Sequence, residues 1–185
     1  MKKKVIYSII IVSVIIILSV AVTYAVYTFS GVVNISGTSE CFEVNYVKGQ
    51  DIGSDSNPAN FALASTYTEG LSLVIKVNLK DTCTITNGTG TLYLNTDTGV
   101  TSSTLLSGKL LKYQVLDGTT QVGNGIVSSA ENIEIYKDIP ITTTVKTITV
   151  YIWLDGNLVT EQNQNEILSS VYKGHISMDI KSGDK

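Results

Sequence analysis

Arginine is missing from these 185 residues, histidine occurs once, and cysteine and proline occur twice each. Without arginine the chain lacks the side chain best shaped for bidentate contact with phosphate or guanine. It also carries a net acidic charge of −3, which speaks against nucleic acid as a partner. The lone histidine, His175, lies in "KGHISMD" with no GxSxG or HExxH pattern beside it. A hydrolase would lack its usual base and a zinc site its usual ligands. The expected place for His175 is the solvent side of a strand or an edge strand. Glu131, Glu134 and Asp138 read as a solvated face, although a carboxylate pair drawn from separate strands is not excluded by sequence. The chain is therefore read as a non-enzyme without cofactor or metal.

Charge is also absent from Val5 to Val22, a run of 18 residues interrupted only by Ser8, Ser13 and Ser19. The apolar character fades after Phe29, and the 25 residues from Val5 to Phe29 would span roughly 37 Å as a helix, enough for a bilayer core of about 30 Å. Lys2, Lys3 and Lys4 precede the run and no basic residue follows until Lys48, which places the N-terminus in the cytoplasm and the rest outside. Residues 1–29 are thus expected to be a transmembrane or signal helix, and residues 30–185 an extracellular domain. "VTYA" offers a cleavage point between Ala25 and Val26, with Thr23 at the minus-three place. Retention in the membrane and release by cleavage both remain open. Residues 26–185 hold 10 of the 13 lysines and all 16 acidic residues, so the exported part carries −6.

The exported part is rich in threonine, valine, isoleucine and tyrosine, with turn residues every 8 to 14 positions, a pattern of short strands. "LSLVIKVNLK" alternates Leu71, Leu73, Ile75, Val77 and Leu79 with a second, mostly polar set, the mark of a half-buried strand. "GTLYLNT" turns Leu92 and Leu94 inward. "KLLKYQVLDG" and "TTQVGNGIVSS" read as a hairpin around Asp117-Gly118. In "TTTVKTITVYIWLDG" the core candidates are Val145, Ile148, Val150, Ile152 and Leu154, with core or edge packing expected for Trp153. "GHISMDIK" reads as the last strand. Residues 58–65 are expected as a short helix or loop, and residues 157–174 likewise. Eight or nine strands make the fold class mainly β, a single antiparallel β-sandwich of jelly-roll type behind the N-terminal helix.

Cys41 and Cys83 stand 42 positions apart. Outside the cytoplasm they read as a disulfide, the alternative being two buried thiols that never meet. Asp51, Asp55 and Asn57 share a glycine-containing loop. This spacing does not match a calcium-binding EF-hand, so an ordinary turn is expected. "NGTG" at Asn87 is a turn as well.

The lysine-led helix ending in "TYAVYTFSG", followed by a threonine-rich β domain and the late strand and turn "VYIWLDGN", resembles the TasA and camelysin group of exported surface proteins of low-GC Gram-positive bacteria. The resemblance implies a jelly-roll-like domain displayed at the cell surface, in some members assembled into biofilm-matrix fibres by lending an N-terminal strand to the next subunit. "VYTFSGVVNISG" supplies such a strand in residues 26–37, with Val32, Val33 and Ile35 as its β-branched residues. The alternative is that this strand pairs within its own sandwich. The function expected is that of a structural or interaction protein, membrane-anchored or released, that self-associates. The alternative is an adhesion or cell-wall glycan-binding module using exposed tyrosines. Intact-mass measurement of the native product separates the two fates of the N-terminus. A mass beginning at Val26 is expected for release and assembly, and the full-length mass in the membrane fraction for a tether.

Overall fold

Side chains of a strand alternate between faces, so an apolar residue at every second position creates one face that must be covered. The strand Leu71–Leu79 shows this directly: Leu73, Ile75, Val77 and Leu79 are buried, while Ser72, Val74, Lys76 and Asn78 face outward. The computed structural model describes residues 41–183 other than 49, 54–58, 60, 62, 98–104, 107, 130–131 and 169–171. All of these residues belong to one unit, Gly31–Lys185. The expected N-terminal helix, the Ala25–Val26 cleavage point and the strand residues Val32, Val33 and Ile35 lie outside the described residues. Among the described residues no helix is long and apolar enough to cross a membrane.

Ten strands are described: β1 (Phe42–Tyr46), β2 (Asp51–Ile52), β3 (Leu63–Ala64), β4 (Leu71–Leu79), β5 (Gly88–Thr96), β6 (Leu111–Asp117), β7 (Thr120–Ile126), β8 (Ile133–Ile141), β9 (Lys146–Asp155) and β10 (Gly174–Ser182). Sheet A has the order β1-β4-β9-β6-β7, with β3 added to β9 in parallel, and sheet B the order β2-β10-β5-β8. Apart from β3, all pairings are antiparallel. The inward faces meet in one apolar cluster, with Ile75, Val115, Val150 and Ile152 from sheet A against Leu92, Leu94, Ile139, Ile176 and Met178 from sheet B. This is a mainly β, two-sheet sandwich.

The hairpin joins β6 and β7, but Asp117 is still in the ladder opposite Thr120, and the loop proper is Gly118-Thr119. Gly118 takes φ +60, the sign that glycine accepts without a Cβ clash. Two inward assignments change. Val145 precedes β9 and is exposed, because the turn after β8 runs through it, and Leu71 is exposed because it opens β4 at the end of the sheet. Residues 63–64 form the parallel strand β3 rather than a helix, because Leu63 and Ala64 extend the ladder of β9 past the point where β4 begins. Of the helix and the loop that are the alternatives for residues 157–174, the described residues there include one short helix, α1 (Gln164–Leu168).

Cys41 and Cys83 are joined by a disulfide, with Cα atoms 5.6 Å apart, tying the start of β1 to the chain just past β4. The Lys80 N–H donates to the Cys41 carbonyl across the same junction. Closing a 42-residue loop limits the unfolded chain and contributes about 4 kcal/mol in the chain-entropy model. The Cys41→Ser/Cys83→Ser double variant is expected to lose about that much stability in urea unfolding while keeping its β circular dichroism.

Candidate functional site

Sheet A turns aromatic side chains outward. Because Ile152 and Leu154 of β9 point into the core, Tyr151 and Trp153 point away from it, each half-buried. Trp153 therefore sits neither in the core nor on an edge, since β9 is the central strand of its sheet. Across the ladder Tyr151 stands between Ser72 and Gln114, and Trp153 is opposite Lys112. A short 3-10 turn, Tyr67–Glu69, brings Tyr67 over both rings. Its centroid lies 5.1 Å from that of Tyr151 at 71° and 6.3 Å from that of Trp153 at 59°. These are the edge-to-face and tilted arrangements that ring quadrupoles favour.

The turn holds itself in place. The Glu69 carboxylate accepts from the backbone N–H groups of Ser65, at 2.7 Å, and Thr66, at 3.4 Å. Gly70 follows, and a Cβ there would lie 2.5 Å from the Ile152 carbonyl oxygen and 2.6 Å from the Trp153 Cβ. Only glycine lets the turn approach β9 so closely. One side of the patch is bounded by Asp155, which pairs with Lys112 and accepts from both the backbone N–H and the side-chain amide of Asn157 at 3.0 Å. The Lys112 bond, followed by those from Asn157, holds the buried Asp155 carboxyl below the usual carboxylate range, against the opposing effect of burial.

A second group lies on the outer face of sheet B. His175 pairs in register with Asp51 and Asn95, inside the sheet rather than at an edge, and its Nδ1 is 2.7 Å from Asp97 Oδ1. Lys173 Nζ is 3.9 Å from the other Asp97 oxygen. The carboxylate orients the imidazole, but the hydroxyl of Ser177, two residues along the same face, is hydrogen-bonded by Asn95 Nδ2 at 2.9 Å. Asn95 Oδ1 accepts from the Asn132 N–H, so this buried amide anchors the start of β8. Among the described residues no group of three or more His, Cys, Asp or Glu side chains is placed to hold a metal ion. Asp51 lies on β2, Glu134 and Asp138 lie on the exposed face of β8, and Asp55, Asn57 and Glu131 fall outside the described residues. A shallow depression of about 450 Å³ at the far end of β9 is lined by Asp117, Thr144, Val145 and Lys146. Its charges are paired with each other at 2.7 Å, and Asp117 also accepts from the Tyr136 hydroxyl.

The third feature is a seam beside β10. The short strand β2 meets only Gly174 and His175, and the Ile176 N–H donates to the Gln50 carbonyl. By alternation the N–H and C=O groups of Met178 and Ile180 face this same side. No described strand lies along them there, yet both residues are fully buried. Tyr46 of β1 reaches the same place. Its hydroxyl is buried and, among the described residues, makes no hydrogen bond. Burial first, and then the Asp179 carboxylate, push it up to about 12, with the Met178 backbone acting in the opposite direction.

No family model matches the chain, and no curated protein or solved structure is significantly similar to it. Sequence reading missed Tyr67 and Tyr151 as partners of Trp153. The available signal was the aromatic pair on the outward phase of "VYIWLD", where a solvated strand normally carries polar residues.

Asp155 has a lowered value in the folded state, so its contribution to stability is complete above the ordinary value of 3.8 and is lost as pH falls below it. The Asp155→Asn variant is expected to be less stable than the parent at pH 7, with the difference narrowing as pH drops below 3.8. Urea unfolding of both proteins across the acid range checks this.

Proposed function

We propose that this chain is an exported surface protein that associates with further copies of itself by strand exchange, residues 26–37 of one copy completing sheet B of the next. Its N-terminal segment directs export, and the domain is membrane-anchored or, once cut after Ala25, free to assemble. The reading rests on the β10 seam. Backbone groups shielded from water need hydrogen-bond partners, and those of Met178 and Ile180 face a side where no described strand pairs with them. The buried Tyr46 hydroxyl points to the same need. A β-branched segment just ahead of β1, with Val32, Val33 and Ile35 at its centre, is the nearest strand-former in the chain.

Other edges support the choice of this one. β8 is the far edge of sheet B, and it carries Pro140 and a bulge at Asp138, which takes φ 54. Both features discourage a further strand. The TasA and camelysin resemblance agrees with an exchanged strand and a jelly-roll-like sandwich.

The test uses the chain beginning at Val26. A ladder of oligomers that withstands SDS without heating is expected. Replacing Val32, Val33 and Ile35 by Asp is expected to collapse it to the monomer. A parent protein that stays monomeric, with amides of Met178 and Ile180 protected from hydrogen exchange, would show that the strand folds back on its own domain and would end the exchange reading.

A further inference from the structure

The outer face of sheet A carries a patch that strand exchange at sheet B does not use. We propose that Tyr67, Tyr151 and Trp153 form a binding surface for a neutral polysaccharide, whose pyranose rings lie with their apolar C–H faces against the aromatic rings. The proposal stands whether or not the chain assembles.

Tyr151 and Trp153 occupy the solvent phase of the central strand, where neighbouring outward positions on β4 and β6 are Ser72, Val74, Gln114 and Lys112. They are half-buried, so part of each ring still meets water. Tyr and Trp present a rigid apolar surface with a polar tip, and an amphipathic sugar matches that surface. Gln114, opposite Tyr151 in the ladder, is a hydrogen-bonding neighbour at the ring edge, the kind of polar group that fixes a ligand's orientation.

Charge favours a neutral occupant. Lys112, opposite Trp153, is already paired with Asp155, and Lys48, which donates to the Ser72 hydroxyl opposite Tyr151 at 3.4 Å, is a single exposed ammonium at the patch's edge rather than a cluster built for a polyanion. The exported part carries 10 lysines against 16 acidic residues and repels phosphate-rich or sulfated polymers at long range. The self-capped turn holds Tyr67 in position before any ligand arrives, which reduces the ordering cost of binding.

Trp153 is the only tryptophan in the chain, so its emission reports on this patch alone. The full-length protein is titrated with chitohexaose, standing for an N-acetylated wall glycan, and with cellohexaose, standing for an unsubstituted glucan. A saturable change in emission with either supports the proposal, and the preferred sugar tells which source the site fits. Tyr151→Ala and Tyr67→Ala are each expected to weaken binding about tenfold or more, with Tyr151→Phe retaining it. Thermal melting of each variant verifies that the sandwich is still folded. Unchanged emission with both sugars, equal affinity in the folded alanine variants, or binding of a heparin hexasaccharide alone would overturn the proposal.

Discussion

Each sheet of this protein has one face that water does not solvate well, and neither face can be covered except by the other. That mutual burial is the constraint on which the rest depends. Ile148, Val150 and Ile152 of β9 sit at its centre, fully buried between β4 and β6 and facing the Leu92–Leu94 side of sheet B. At about 25 cal/mol per Å² of apolar surface removed from water, this layer supplies most of the force opposing chain entropy. Every feature of possible function is placed by it, because fixing which residues point inward also fixes which point out.

The aromatic patch follows from that rule. Ile152 and Leu154 must face the core, so Tyr151 and Trp153 face solvent, and the self-capped turn adds Tyr67 from a segment more than 80 residues earlier in the chain. The Lys112–Asp155 pair beside it has one partner almost fully shielded, and such a pair is retained only when its remaining hydrogen bonds are met. Here Asn157 meets them with two donors.

The seam beside β10 follows from the same layering. Sheet B brings β10 next to β5, and β2 is too short to cover its outer side. Tyr46 arrives from the edge strand of sheet A and places a buried hydroxyl at the junction of the two sheets. The proposed binding face on one sheet and the proposed pairing edge on the other are thus separate features of one sandwich.

Much of this was legible along the chain. Period-two alternation marked β4, β5, β9 and β10, because burial of one face needs only a local pattern to announce itself. Asp117-Gly118 marked the hairpin for an equally local reason, the positive φ at glycine. The two-residue strands β2 and β3 were not legible, since a bridge of two residues has no period and exists only because a distant strand is there to receive it. The Tyr67 contact was hidden for the same reason.

The sequence by itself determined the β class, the inward set of each long strand and the absence of arginine and of a histidine cluster, because these depend on composition and on neighbours two positions apart. Only the tertiary structure decided that His175 meets Asp97, that Cys41 meets Cys83, and that three aromatic rings converge beside an ion pair. Each of those contacts joins residues far apart in the chain, and their meeting is set by the order in which strands enter two sheets, a long-range choice that no local pattern encodes.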